Sequence, residues 1–366
     1  MNKLIYLDNA ADTPVCPAAR QAFLDALDCG NPASLHALGR AAKTLLEESR
    51  TVIKDALDCE RVVFTSGGTE GINLALRGAA DVYGRKKKHI VTTTFEHPAV
   101  QNTLSSLKSK GFTVTEVPPR ADGRIHSEDV TAAVTEETFL VTAVLVCGET
   151  GSYLDASALA DSLRGRDVIT HIDSVQSFLK MPFSFIKSGI DLMTVSGHKI
   201  HAPMGVGALA VSPRVRLVPQ ITGGGQEGGI RGGSEALPLI AAFAAAVRDW
   251  LPISPELTAV AAERLKSAGW TIVPAHDTPI LSAAYPGIPG LMLMQSLSDN
   301  GVLVGSGSAC SQGKKSAALL SMKNLPHWVA DGVIRLSFSR FNTPEELERA
   351  LEIIQLTTRH HKPVRV

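Results

Sequence analysis

Asp191-Leu192-Met193-Thr194-Val195-Ser196-Gly197-His198-Lys199 reads as a short apolar strand that ends in small hydrogen-bonding residues and a lysine. Pro203-Met204-Gly205-Val206-Gly207-Ala208 then makes a turn, and a second apolar run extends from Ala208 to Val211. Lys199 is thereby placed on a tight connection between two buried strands. Partial desolvation of an amine disfavours its charged form and lowers its pKa, and a lysine so tuned can form a Schiff base with a carbonyl. Taken alone, the tetrapeptide Ser196 to Lys199 also fits an ordinary surface turn. The rest of the chain decides between the two.

Working outward, strand-like runs alternate with helix-like ones. Arg61 to Phe64 precedes a Ser/Gly turn and a helix from Thr69; Ile90 to Thr93 precedes a helix opening near Pro98; Phe112 to Val117, Phe139 to Val146 and Val168 to Asp173 continue the series. Strands joined through helices need crossovers, so the expected product is a mostly parallel sheet covered on both faces, an α/β architecture. After Gly223-Gly224-Gly225 a helix from Glu235 to about Trp250 stops at Pro252, and the pattern changes. Trp270 to Val273, Ile280 to Tyr285 and Val333 to Phe338 read as short strands among helices, a smaller α+β unit. The last helix opens with Thr343 as cap, Pro344 in the first turn and Glu346 completing a capping box. The boundary is set near residue 250: a large domain over 15–249, and a small one from 1–14 and 250–366.

Composition narrows the class. The 366 residues carry 36 Lys+Arg and 36 Asp+Glu, which leaves no net field to recruit nucleic acid or an anionic membrane. A hydrophobic fraction of 44% excludes a disordered chain, and the run Ala236 to Val247 is too short to span a bilayer. Met1 to Ala10 includes Asp8 and lacks the apolar core of a signal peptide. Cys16, Cys29, Cys59, Cys147 and Cys310 are scattered, with no CxxC pair. That usage fits a reducing cytoplasm and argues against a disulfide framework or a cysteine-rich metal site.

Several residues carry chemistry by position. Asp173 ends an apolar run, and ligands of open α/β sheets sit beyond the carboxyl ends of strands. A buried carboxylate there needs a partner. A protonated pyridine nitrogen would serve, and so would the amides of a helix that Asp173 merely caps. Thr65-Ser66-Gly67-Gly68-Thr69 lies between a strand and a helix, where glycines and free N–H groups suit a phosphate. It is neither GxGxxG nor a Walker sequence, and a plain tight turn would look similar. His97, in Glu96-His97-Pro98, could stack on a planar cofactor and move protons as a catalytic residue, or simply bond the connection. Ser306-Gly307-Ser308-Ala309-Cys310-Ser311 sets a cysteine among small flexible residues, which suits a travelling nucleophile or an oxidisable surface thiol. Cys16, Cys29, Cys59 and Cys147 read as structural.

The ordered set Thr69-Glu70, Glu96-His97, Asp173 with Gln176, Ser196 to Lys199, Gly223-Gly224-Gly225, Ser306 to Cys310 and Arg335-Leu336-Ser337-Phe338-Ser339-Arg340-Phe341 resembles the cysteine desulfurases of the NifS/IscS type. These belong to the class V group of pyridoxal phosphate aminotransferase-fold enzymes. Tyr6 to Ala11 and Asn31 to Ser34 fit as well, so the resemblance runs from about residue 5 to about residue 350. It implies the type I fold of that cofactor class, a homodimer, and pyridoxal 5'-phosphate held on Lys199. Asp173 would pair with the ring nitrogen, Gln176 would contact the ring hydroxyl and His97 would stack on the ring. Gly68, Thr69, Ser196 and His198 would hold the phosphate, which Ser234 would reach from the second subunit. Arg335 would bind the substrate carboxylate. Cys310, on a mobile loop of about 305–318, would take sulfur from L-cysteine as a persulfide, leave L-alanine, and serve a sulfur acceptor or iron–sulfur scaffold protein.

The chain departs from the family at Cys147-Gly148-Glu149-Thr150-Gly151, where Asn-Asn-Glu-x-Gly is usual. Gly148 cannot supply the side-chain contact of the second Asn to the ring hydroxyl and the substrate carboxylate, a loss worth about 1–3 kcal/mol. Gln226 and Gly228 replace the usual His and Arg, and Lys314-Lys315 make the cysteine loop more basic. Two other readings therefore stand beside the desulfurase: a cysteine or cystine C–S lyase or other class V enzyme with a changed substrate, and a non-catalytic paralogue that binds a partner.

Overall fold

Apolar strands separated by amphipathic helices assemble into two sheets. The computed structural model describes residues 4–274, 278–306 and 316–360. Their strands are β1 (Ile5–Leu7), β2 (Val62–Thr65), β3 (His89–Thr93), β4 (Thr113–Val117), β5 (Thr138–Val144), β6 (Ile169–Asp173), β7 (Leu192–Ser196), β8 (Gly207–Val211), β9 (Thr271–Ile272), β10 (Ile280–Ala284), β11 (Val302–Ser306) and β12 (Val333–Ser337).

The first sheet has seven strands in the order β2-β8-β7-β6-β5-β3-β4. The strands from β4 to β7 pair in parallel, whereas β8 runs antiparallel to both β7 and β2. The expected mostly parallel sheet is thus present, with one reversed strand after the Lys199 connection. Every residue of β5, β6, β7 and β8 is buried, as helices on both faces of a parallel sheet require. Full burial of each Val, Leu or Ile contributes about 1.5–3 kcal/mol. The helix Gly68–Tyr83 lays Ile72, Leu76 and Ala80 on one face, and the apolar helix Leu237–Arg248 buries Ile240, Phe243 and Ala244 on the other.

The second sheet has five strands, β1-β11-β12-β10-β9. β1 pairs in parallel with β11, and the remaining neighbours are antiparallel. Strand β1, from the start of the chain, therefore docks more than two hundred residues downstream in sequence. Its core joins Ile5 and Leu7 to Leu293, Val302, Ile334, Leu336 and Ile354. The closing helix Pro344–His360 begins as its sequence signals, with Glu346 N donating to Thr343 Oγ1 at 3.2 Å.

The two ends of the expected cysteine loop, about 305–318, belong to regular elements. Gly305 and Ser306 belong to β11, and Ala317 opens the helix Ala317–Ser321. Cys310 lies outside the described residues. Among the described residues no helix is long and apolar enough to cross a membrane.

Where the sheet turns toward its reactive edge, packing is tight. A Cβ added to Gly207 would meet Val195 O at 2.7 Å and Gly67 Cα at 2.8 Å. Because both are backbone atoms, relief requires strand β7 and the connection after β2 to shift. Gly207→Ala is expected to destabilise the protein by about 1–3 kcal/mol, the usual penalty of overpacking, read as a lower urea midpoint at unchanged slope.

Candidate active site

The carboxyl ends of β2, β3, β5, β6 and β7 open onto a single cavity of about 270 Å³, lined by residues from Gly68, His97, Gly148, Asp173, Lys199 and Arg335, among others. This is where an open α/β sheet offers its ligand site. Thr65 leads from β2 into the helix Gly68–Tyr83, and Glu96-His97 leads from β3 into the helix Pro98–Lys108. Asp173 is the last residue of β6, and Ser196 the last of β7.

Lys199 occupies a single 3-10 turn, Gly197–Lys199, between β7 and β8. Its ammonium donates to Ala10 O at 2.8 Å and Ala11 O at 2.6 Å. The turn is stitched to the start of the chain: Thr13 Oγ1 donates to His198 O at 2.7 Å, and His201 N donates to Thr13 Oγ1 at 2.7 Å. Half-burial and the neighbouring cations of Lys199 and Lys180 push His198 down to about 4, so its ring is neutral near pH 7.

Asp173 is buried, and its carboxylate accepts one hydrogen bond, from Val175 N at 3.0 Å. It therefore does cap the following turn. Burial raises its pKa, opposed by that bond and by the charges of His97 and Lys199. Glu96 lies close by, wholly buried, accepting from Thr93 Oγ1 at 2.6 Å and Val144 N at 3.0 Å. Desolvation, with the Asp173 charge, pushes Glu96 up to about 8. His97 caps the helix Pro98–Lys108, with Nδ1 accepting from Ala99 N at 3.1 Å. His97 thus bonds its own connection while its ring lines the cavity.

The phosphate-like end lies at Gly67 to Thr69. Gly67 has φ +149°, and a Cβ on Gly68 would meet Val175 Cγ2 at 2.7 Å, so both glycines allow a close approach of chain segments. Ser196 Oγ is buried without a hydrogen-bond partner among the described residues. An orphaned buried hydroxyl costs about 1–3 kcal/mol, a cost that a ligand oxygen beside it would remove. With the N-terminus of the helix Gly68–Tyr83 next to it, this end fits a phosphate. The buried, singly bonded Asp173 carboxylate fits a protonated ring nitrogen, and Lys199 a carbonyl carbon, so the residues fit pyridoxal 5'-phosphate.

Arg335, from β12 of the second sheet, completes the wall. Its Nη1 donates to Gly148 O at 2.8 Å, and its Nη2 pairs with Asp8 Oδ1 at 2.7 Å. Gln176 donates through Nε2 to Ala10 O at 2.7 Å and packs against Gly148, where an added Cβ would lie 3.2 Å from that nitrogen. Lys180 donates to Gln176 Oε1 at 3.4 Å; burial and the charges of Lys199 and Arg335 push it down to about 7. Cys147 lines the cavity too, but burial beside Glu149 raises its thiol to about 11, which keeps it protonated and inert.

Gly68, Thr69, His97, Asp173, Gln176, Ser196, His198, Lys199 and Arg335 are therefore brought together. Ser234 is not: within this chain it lines a separate small cavity with Thr65, Ser66, Glu227 and Arg231. Sequence reasoning missed three contributors, the carbonyls of Ala10 and Ala11, the acid Glu96 as a buried neighbour of Asp173, and Lys180. The first depends on a long-range return of the chain. The last sits four residues after Gln176, a spacing that could have flagged it. Among the described residues no group of His, Cys, Asp and Glu could hold a metal ion.

Glu96 gives a pH signature. The unfolded chain releases its proton near the ordinary value of 4.5, whereas the folded protein holds it to about pH 8. The native state binds the extra proton between these values, so stability is greatest below pH 4.5 for this group, falls as pH rises through the window, and levels off above it. Glu96→Gln is expected to remove that part of the decline, measured as a flatter dependence of the cofactor-free Tm on pH between about 5 and 8.

Comparison with known proteins supplies the family. Residues 5–350 match the family described as Aminotransferase class-V. The chain is 36% identical over 375 residues to the protein named cysteine desulfurase IscS of Proteus mirabilis, covering 96% of this chain and 91% of that one. Among solved structures, a NifS-like protein superposes with a TM-score of 0.90 at 29% identity, covering 98% of this chain and 100% of the other. A structure described as SspA in complex with cysteine does so with a TM-score of 0.82 at 29% identity, covering 92% and 99%. The fold of the NifS-like proteins is that of this molecule, and the chain belongs to the Aminotransferase class-V family.

Proposed function

We propose that this protein is a pyridoxal 5'-phosphate-dependent cysteine desulfurase, which moves sulfur from L-cysteine to Cys310 and releases L-alanine. The observation that carries the reading is the convergence of Lys199, Asp173 and Arg335 on one cavity, in a chain 36% identical to a protein named cysteine desulfurase. The cysteine in the SspA structure, as its description states, supports the substrate class.

When bound, the cofactor supplies an electron sink for negative charge developing at the substrate Cα. Asp173 holds the proton on the ring nitrogen, its burial making the pairing strong. Glu96, protonated at neutral pH, adds no second negative charge beside it. Gly68, Thr69, Ser196 and neutral His198 hold the phosphate, and His97 covers the ring. Lys199, released from the Ala10 and Ala11 carbonyls, moves the Cα proton. Arg335 binds the α-carboxylate.

Cys310 takes the sulfur. Its thiolate forms the S–S bond as the Cβ–S bond of the substrate breaks, so cysteine plus thiol becomes alanine plus persulfide, in balance. Cys147, raised to about 11, is unsuited to that role. In this reading residues 15–249 form the cofactor-binding domain, residues 1–14 with 250–366 form the domain that presents Arg335 and Cys310, a homodimer brings Ser234 of a second copy to the phosphate, and a cytoplasmic acceptor or iron–sulfur scaffold protein receives the sulfur.

The test is incubation of the purified protein and pyridoxal 5'-phosphate with L-cysteine, with alanine quantified and the persulfide mapped by peptide mass. Lys199→Ala is expected to abolish alanine formation. Cys310→Ala is expected to lose both alanine and persulfide while keeping cofactor absorbance. Sulfide release that survives Cys310→Ala would instead identify a C–S lyase, the reading that the side-chain loss at Gly148 favours.

A further inference from the structure

Arg335 stands at the centre of β12 and is 4% exposed, so its charge has to be compensated inside the protein. Nη2 is held by Asp8 Oδ1 at 2.7 Å and Nη1 by Gly148 O at 2.8 Å, while Nε has no partner among the described residues. Gly148 and Arg335 line the cavity and Asp8 does not, so the carboxylate grips the guanidinium from behind. The residue opposite Arg335 in the β11–β12 register is Gly305. A Cβ there would meet Asp8 Oδ1 at 2.6 Å, Arg335 Nη2 at 2.8 Å and Arg335 Nε at 3.0 Å. Three separate segments, the end of β1, β11 and β12, are thus arranged around one ion pair, and β11 leaves out a side chain to admit it.

We propose that Asp8 is a positioning residue for substrate recognition: through the gap left by Gly305 it fixes the plane of the Arg335 guanidinium, so that its remaining donors face an α-carboxylate in the cavity. The proposal rests on the reading of Arg335 as the carboxylate-binding group. A guanidinium held by two acceptors gives up little freedom when a third arrives, which is the advantage of preorganisation. Without Asp8 it keeps only the Gly148 carbonyl and can swing about that bond.

Charge alone makes the opposite forecast. Removing a carboxylate beside Arg335 leaves it more positive, and a substrate carboxylate would bind more tightly. Orientation and charge are therefore separable. They separate further between Asp8→Ala, which removes both, and Asp8→Asn, which keeps the acceptor Oδ1 and removes only the charge.

The experiment uses the holoenzyme and follows cofactor absorbance during titration with L-alanine and with ethylamine, the same amine lacking the carboxylate. Asp8→Ala is expected to weaken L-alanine binding about tenfold and to leave ethylamine unchanged. It should also raise KM for L-cysteine by a similar factor, with kcat within about twofold of wild type. Asp8→Asn should recover most of the L-alanine affinity, and Gly305→Ala should reproduce the loss. L-alanine binding by Asp8→Ala as tight as wild type or tighter, equal weakening of ethylamine, or no recovery in Asp8→Asn would each overturn the proposal. Wild-type holoenzyme that neither binds L-alanine nor turns over L-cysteine would overturn the reading of the site itself, and this proposal with it. Should Asp8→Ala not fold, Asp8→Asn and Gly305→Ala carry the same test.

Discussion

The segment Asn9 to Thr13 is the constraint on which the site depends. On one side Asn9 Nδ2 donates to Ser337 O at 2.8 Å, and Ala10 N donates to Ser337 Oγ at 2.8 Å, which fastens the segment to the end of β12. On the other side Ala10 and Ala11 turn their carbonyls to Lys199, and Thr13 bonds His198 and His201 on either side of that lysine. Five residues thus join the second sheet to the reactive edge of the first. The arrangement gives β1, which crosses to the far sheet, its role: docking Ile5 and Leu7 in that core fixes where Asp8 to Thr13 emerge. Hydrophobic burial at one end sets polar geometry at the other.

Electrostatics then differentiates residues that look alike in sequence. Asp173 and Glu96 are both buried carboxyls, yet Lys199 and His97 charges oppose the rise in Asp173, whereas Glu96 has Asp173 itself as its charged neighbour. One is suited to remain an anion facing a cation, the other to remain a neutral acid. Lys199 and Arg335, which line the cavity, and Lys180, bonded to Gln176, show the complementary case, cations whose charges act on one another. Burial first, and then these charges, lower Lys180 to about 7 and His198 to about 4. Asp8 compensates only Arg335 directly.

How much of this was legible in the sequence follows physical range. Strand ends were, because each is marked locally: Asp173 closes an apolar run, Ser196-Gly197 breaks one, and Pro98 opens a helix. The order of strands in the sheet was not, since no residue of β6 encodes that β5 and β7 flank it. The reversed direction of β8 follows from the short turn after Lys199, too short for a parallel crossover, and could have been argued. Strand β11 was hidden because Gly301 and Gly305 bracket only three apolar residues, a composition that reads as a loop. Gly305 is glycine for a tertiary reason, the Asp8–Arg335 pair behind it, and no local rule reveals that. Ser234 marks the same limit from the other direction: its sequence position is clear, but within a single chain its neighbours are Thr65 and Arg231 rather than the cavity.

Gly148 shows how a departure from a family pattern is absorbed locally. A side chain there would press on Gln176, whose Nε2, Cγ and Cδ lie 3.2, 3.3 and 3.5 Å from an added Cβ. Gln176 is in turn fixed by Ala10 O and Lys180, so it cannot retreat without disturbing the segment that also holds Lys199. The main chain of Gly148 meanwhile serves Arg335 as an acceptor through its carbonyl. What an Asn side chain would contribute to the site is thus divided: the Gln176 amide fills the volume, and the Gly148 carbonyl helps orient the guanidinium. Neither supplies a side-chain donor at position 148. Under the proposed reading, recognition of a carboxylate would lean harder on Arg335, so the two acceptors that hold its guanidinium in place would matter more than they would with a second donor beside it.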